Sequence, residues 1–243
     1  MNFDCDKISC ISLTSRLDKR WFFSNLMKEL NIQFDFFDAI NNKEKPYKGC
    51  FESHFKIISN AYKNSDERIM IFEDDVDIRP NLHTAEIVSI NNFLNTNNDW
   101  EIFLLGSTPN IWTHSIKEVS KNIYHGSYIG AYAYIINRKG IERYKNMIWG
   151  CPHKYVDRDV FSKNPNIYAY MPELYVQRII KNDIGHNSYT FIKYRTKILD
   201  LVDWYAININ IPLYILIIVF ICVLILMLIK RYKDNKHHSR YTD

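Results

Sequence analysis

The chain has 243 residues, 47% of them hydrophobic and 15% aromatic, with 31 Lys and Arg against 27 Asp and Glu for a formal net charge of +4. That composition excludes disorder, and the length suits one α/β domain of roughly 200 residues plus an appendage. So small a charge, with no basic stripe interleaved with aromatics, excludes nucleic acid as a partner; five cysteines without a Cys-x-x-Cys pair imply neither a zinc site nor a disulfide framework.

Residues 1–7 are polar and acidic, with no apolar core of the kind a signal peptide needs. Residues 8–13 (Ile-Ser-Cys-Ile-Ser-Leu) predict the first strand, which ends in the polar loop Thr14-Ser15-Arg16. Asp18-Lys19-Arg20 opens an amphipathic helix carrying Trp21, Phe22, Leu26, Met27 and Leu30 at three-to-four spacing. Residues 33–39 predict a short second strand. Strand, helix and strand within about 30 residues open a parallel sheet. After a polar loop, Gly49-Cys50-Phe51-Glu52-Ser53-His54 leads into a helix containing Phe55, Ile57, Ile58 and Ala61.

The stretch 68–78 organises the rest. Four apolar residues, Ile69-Met70-Ile71-Phe72, predict a strand buried on both faces. The three carboxylates that follow, Glu73, Asp74 and Asp75, cannot be buried unpaired, so they face solvent, a cation or a substrate. In open α/β sheets, ligands bind at this C-terminal edge. On an extended backbone Glu73 and Asp75 point one way and Asp74 the other. That supplies one or two hard oxygen ligands for Mg²⁺ or Mn²⁺; an acidic turn without a ligand is the alternative.

Pro80 closes the loop beyond this strand, residues 87–94 predict a helix ended by the Asn-rich run 95–98, and residues 100–107 predict another buried strand. Residues 108–127 read as an excursion loop with a short strand around Ile123. Residues 128–136 alternate small and aromatic residues, as a strand beside a crowded site does. A helix starts at Arg138-Lys139-Gly140 and runs through Met147, Cys151-Pro152-His153 breaks it, and residues 167–170 form a last strand. Residues 190–210 are a mixed connector. Residues 211–229 are uncharged and almost wholly aliphatic, roughly 28 Å as a helix. Trp204, Tyr205 and Tyr214 flank one end and Lys230, Arg231 and Lys233 close the other, which predicts a single transmembrane helix. A buried core helix is the alternative.

The set of motifs resembles glycosyltransferase family 25, the lipopolysaccharide-type and procollagen-galactosyltransferase-like enzymes. The matching pieces are Ile11-Ser12-Leu13 through Asp18-Lys19-Arg20, Gly49-Cys50 with Ser53-His54, and Phe72-Glu73-Asp74-Asp75-Val76. Further matches are Trp100-Glu101-Ile102, Ala131-Tyr132-Ala133-Tyr134 with Arg138-Lys139-Gly140, Val156-Asp157, and Pro172-Glu173-Leu174 with Gln177. The resemblance implies an α/β, GT-A-like nucleotide-sugar-binding domain with a mainly parallel central sheet over residues 1–205; the transmembrane helix read from hydropathy, 211–229, and a short basic tail, 230–243, follow it. It implies inverting transfer of a hexose, galactose or glucose, from a nucleotide-sugar, UDP-linked, to the hydroxyl of a glycan, lipid-linked sugar or protein acceptor.

The residue roles follow from that chemistry. Asp75 and Glu73, with His186 as a third ligand from late in the domain, hold Mn²⁺ or Mg²⁺, which neutralises charge on the leaving diphosphate. Arg16 and Arg20 pair with the diphosphate as fork donors, or Arg20 is a surface helix charge. Ser53 and His54 bind the donor, or Ser53 caps its helix. Asp157 and Asp74 are the catalytic candidates, Asp157 as the general base that inversion requires, with Asp159 and Glu173 next in order. A membrane-anchored binding protein that kept the fold is the competing reading, as is a metal-dependent nuclease or phosphatase.

Two rules disagree on topology. The basic tail places itself in the cytosol and the domain in a lumen. The absence of a signal peptide, of any Asn-x-Ser/Thr triplet and of paired cysteines favours a C-terminally anchored, single-pass membrane protein whose catalytic domain faces the cytosol.

Overall fold

The computed structural model describes residues 2–79, 84–112, 115–178 and 200–238. Strand β1 (Lys7–Ser12), helix α1 (Leu17–Glu29) and strand β2 (Asp35–Asp38) open the chain, as the pattern of apolar residues predicts. Helix α2 (Pro46–Asn64) follows, with a proline at its start, where no hydrogen bond from its nitrogen is needed. It stops at Ser65, which takes the left-handed conformation at φ 62°. Then come β3 (Arg68–Glu73), β4 (Val76–Ile78), α3 (Thr84–Thr96) and β5 (Ile102–Pro109). The hairpin β6 (Lys117–Ser120) and β7 (Ile123–His125) leads to β8 (Tyr128–Asn137) and α4 (Arg138–Tyr144). A single wide helical turn over Val156–Val160 precedes β9 (Ile167–Tyr170) and β10 (Tyr175–Gln177). Two further helices, α5 (Asp200–Asn208) and α6 (Leu213–His238), complete the described chain.

Eight strands form one sheet in the order β2-β1-β3-β8-β5-β9-β7-β6. The sheet is mixed rather than mainly parallel. Among the described pairings β1–β2, β1–β3 and β5–β9 are parallel, whereas β8 runs against both β3 and β5, and β7 against both β9 and β6. The β3 pleat explains its unbroken apolar run: Ile69 and Ile71 enter the core on one face, with α2 residues Phe51, Phe55 and Ile58. Met70 and Phe72 enter the core on the other, with Phe23 and Met27 of α1 and Ile87 and Ile90 of α3. The result is a sheet with helices on both faces.

Several boundaries differ from the sequence reading. Alpha-1 turns Phe23, Leu26 and Met27 inward and leaves Trp21 71% exposed, because its buried stripe runs through Lys19 and Phe23 rather than through Trp21. Helix α4 ends at Tyr144 instead of Met147. Beta-4 and β10 form a separate antiparallel pair that three-residue segments give no local sign of. The connector 190–210 contains α5, which packs on the body: Ala206 joins the core and Asn210 Oδ1 accepts from Ile116 N at 2.7 Å. The body thus continues past residue 205.

Over residues 214–228 helix α6 is apolar and exposed, with Ile215, Ile218, Phe220, Leu224 and Leu228 among its uncovered side chains. Among the described residues no single helix is long and apolar enough to cross a membrane; α5 and the Leu213–Leu228 part of α6 satisfy length and composition together, bent by 78°.

Candidate functional site

The site is built at the end of β3, where the pleat and then a turn distribute three carboxylates. Continuing the alternation of Ile69 and Ile71, Glu73 comes off on the α2 face. There it meets His54, whose Nε2 lies 3.4 Å from Glu73 Oε1. Asp74 falls on the opposite, α1 face. Its Oδ2 accepts from Ser12 Oγ at 2.6 Å and its Oδ1 from Lys19 Nζ at 2.9 Å. The strand stops at Glu73, so Asp75 does not return to the Glu73 side as an extended backbone requires. The turn brings it beside Asp74, with Oδ2 3.6 Å from Lys19 Nζ and 3.3 Å from Gln177 Nε2. Beta-10 and the residue after it fix this turn, as Arg178 N donates to the Asp75 carbonyl at 2.6 Å.

Two acidic groups, Asp74 and Asp75, therefore flank one buried ammonium, with Glu73 beside them on the α2 face. Lys19, 4% exposed, is the residue that sequence reasoning missed as part of the site. Its signal is positional: Lys19, Phe23, Leu26 and Met27 fall on one helical stripe, and a lysine there is buried only against a partner. Burial pushes the Asp75 carboxyl up to about 7, helped by Glu73 and opposed by Lys19. Asp74 is also raised by burial, against the pull of Lys19 and Ser12. The Asp75 Oδ1 atom is buried and takes no hydrogen bond.

These groups open onto a cleft of ≈ 340 Å³ whose walls include Ser12, Asn41, Lys43, Cys50 and His54. Cys50 and His54 stand one turn apart on α2. With Glu73 they present a thiol, a ring nitrogen and a carboxylate oxygen within 4.8 Å of one another. Cys50 lies near Asp157 too, since Glu73, Asp157 and Asp75 all add to the burial that raises its thiol pKa. Asp157, at the start of the wide turn, accepts from Gly130 N through Oδ2 at 2.9 Å. Gly130 has φ +94°, a conformation side chains resist.

The other sequence candidates lie elsewhere or are otherwise engaged. Arg16 forms a two-bond fork with Asp18 (2.9 and 2.8 Å) at the surface. Arg20 lies over the Phe36 ring, donates to the Ser12 carbonyl at 2.9 Å and pairs with Asp38. Neither arginine lines the cleft. Ser53 is not a helix cap: it sits inside α2, donating to Gly49 O at 2.7 Å and accepting from Ile40 N at 2.8 Å. Asp159 receives Lys154 N and Tyr155 N at 2.8 and 3.0 Å and so braces its own turn. Glu173 is buried against Arg79 at 3.3 Å and against Asp203, away from the cleft. His186 falls outside the described residues.

Among curated proteins no match is found. Solved structures match this chain at low identity. One is a glycosyltransferase involved in the glycosylation of the major capsid of PBCV-1, 11% identical, with TM-score 0.48, covering 72% of this chain and 94% of that one. A UDP-glucose pyrophosphorylase complexed with UDP-glucose is 9% identical, with TM-score 0.41, covering 71% of this chain and 74% of that one. The family model for glycosyltransferase family 25 (LPS biosynthesis protein) matches residues 45–161. Over that segment, which holds Cys50, His54, Glu73, Asp74, Asp75 and Asp157, the chain carries a glycosyltransferase family 25 domain.

Proposed function

We propose that this glycosyltransferase moves a hexose, galactose or glucose, from a UDP-linked donor to an acceptor hydroxyl with inversion, on a GT-A-like body, with Mn²⁺ or Mg²⁺ held by Glu73 and Asp75. The observation that carries this reading is the orphaned, buried Asp75 Oδ1 in a cluster of three carboxylates that contains one lysine. Such a cluster fits a hard divalent cation, because an unpaired oxygen and an excess of negative charge are both costly when buried. The cation, when bound, offsets the charge that develops on the leaving diphosphate.

The remaining roles belong to side chains. Ser12 and Lys19 hold both Asp74 oxygens, so Asp74 anchors the lysine. Lys43, on the cleft wall, is the exposed cation available to a diphosphate. Asp157, fixed by the Gly130 amide, is the base that takes the acceptor proton. The acceptor is a glycan, a lipid-linked sugar or a protein.

We also propose that α6 lies in a membrane, with the catalytic body on the cytosolic side. The exposed apolar stretch 214–228 of α6 suits lipid around it. Tyr214, 47% exposed in its first turn, and Trp204, 55% exposed on the preceding α5, suit the interface.

The test is a donor screen with the full chain in detergent. UDP-galactose and UDP-glucose hydrolysis are followed with and without added sugar acceptors, in Mn²⁺ and in chelator. Metal-dependent release of UDP that rises with acceptor supports the proposal. No turnover of any nucleotide-sugar under any condition favours the binding-protein reading.

A further inference from the structure

The α2 face of the site has a feature that the Mg²⁺ or Mn²⁺ role leaves unexplained. His54 is 0% exposed, yet its Nε2 finds no hydrogen-bond partner. The nitrogen points at Glu73 Oε1 from 3.4 Å, beyond the usual reach of an N–H···O bond of about 2.7–3.2 Å. That separation instead suits two ligands of one tetrahedral ion, whose donor atoms stand roughly 3.4–3.7 Å apart for bonds of about 2.0–2.3 Å. Cys50 supplies the third donor, one helical turn before His54, within 4.8 Å of the other two.

The ring is pre-oriented for this. Nδ1 lies 3.0 Å from the Tyr134 hydroxyl, and the two rings stack at 5.8 Å. With Nδ1–H donating to Tyr134, Nε2 presents its lone pair, the arrangement that metal-binding histidines use. Tyr134 is itself fully buried on β8, paired in register with Ile71 of β3, so the sheet that places Glu73 also places the tyrosine.

We propose that Cys50, His54 and Glu73 form a three-ligand site for a borderline-soft divalent cation of the Zn²⁺ class, with a fourth position open to the cleft. A thiol and an imidazole select Zn²⁺ or Co²⁺ over Mg²⁺, which prefers oxygen. The site is distinct in ligand type from the oxygen cluster at Asp75 and shares only Glu73 with it. Zn²⁺ bound here engages the carboxylate that the proposed transferase metal needs, so it inhibits by competition at Glu73. The local sequence hides this site, because Cys50 and His54 are separated from Glu73 by 19 or more positions and meet it only through the α2–sheet packing.

The experiment uses Co²⁺ as a spectroscopic probe of the full chain in detergent, with no nucleotide-sugar present. Co²⁺ bound to a thiolate gives a near-ultraviolet charge-transfer band, and Zn²⁺ displaces it. One equivalent is expected to raise the band in the wild type, in Asp75→Asn and in Cys151→Ser, and Cys50→Ser abolishes it. Tyr134→Phe keeps the band with affinity lowered about 10–100-fold. Should Cys50→Ser fail to fold by circular dichroism, Glu73→Gln decides, since its change is at a partly exposed strand end: weakened Co²⁺ binding with the band retained supports the site, and unchanged affinity overturns it. Absence of the band in the wild type at saturating Co²⁺, or its survival in folded Cys50→Ser, overturns the site as well. Failure of the Asp75 metal role gives no change in this band, so the two proposals fail separately.

Discussion

At the scale of single residues, the energetics of the site turn on Lys19. It is the ammonium held between two buried carboxylates, and removing one member of a buried ion pair typically costs about 3–5 kcal/mol because the partners stay behind. Lys19→Met is therefore expected to lower the unfolding free energy of the full chain by an amount of that order, read as a lower urea midpoint, and the double change with Asp74→Asn is expected to recover part of it. An unchanged midpoint in Lys19→Met contradicts the pairing. The carboxylates were legible in the sequence because three consecutive charges after an apolar run have nowhere to hide. Their directions were only half legible: alternation holds for Glu73 and Asp74, then the strand ends and the turn carries Asp75 to the Asp74 side. Lys19 escaped notice since Trp21 and Phe22 suggest an apolar stripe offset from the real one. Arg20 was visible as a charge near the sheet edge, but its engagement with Asp38 depends on β2 lying beside β1, which the local pattern does not report.

At the scale of elements, α5 is tied to the body by a buried acidic pair. Arg79 reaches Glu173, Asp200 and Asp203 at 3.3, 3.4 and 3.5 Å, leaving more acid than base. Burial, and then the Glu173 carboxylate, raise Asp203 from 3.8 to about 9. The folded protein therefore keeps a proton that the unfolded chain releases above pH 3.8, and folding takes up a proton between 3.8 and about 9. The contribution of this group is largest in acid and declines as pH rises through that window. The urea midpoint is expected to fall between pH 6 and pH 8.5, and Asp203→Asn to flatten that slope; a slope of the same size in the variant contradicts the assignment. A second tie is rigid. Glu101 receives Arg143 through two bonds at 2.5 and 2.7 Å and also Asn164 and Asn166, joining α4 to the entry of β5 and β9. The elements themselves were largely legible. Ile69-Met70-Ile71-Phe72 and Ile102 to Leu105 declare buried strands whichever way they run. That indifference is also why β8 was not recognised as the strand inserted against its neighbours: a strand covered on both faces shows the same apolar run parallel or antiparallel.

At the scale of the whole molecule, the acidic end of β3 faces the same cleft as α2, and residues 214–228 of α6 are apolar and exposed. If α6 sits in lipid, the full chain floats with liposomes in a density gradient, whereas a chain ending at residue 210 stays at the bottom; flotation of both contradicts the anchor. Protease added to sealed membranes is expected to digest the body without detergent if it faces the cytosol, and protection contradicts that orientation. The transferase reading rests most heavily on the carboxylate whose oxygen the protein leaves unpartnered. The direct measurement is UDP release from the preferred UDP-hexose by the full chain, titrated with Mn²⁺ after chelation, for wild type and Asp75→Asn. The account expects turnover in the wild type to vanish in chelator and return with Mn²⁺, and Asp75→Asn to need about 10–100-fold more metal or to lose comparable activity. Undiminished wild-type turnover in chelator, or an Asp75→Asn protein with the same Mn²⁺ requirement and activity as the wild type, would contradict it.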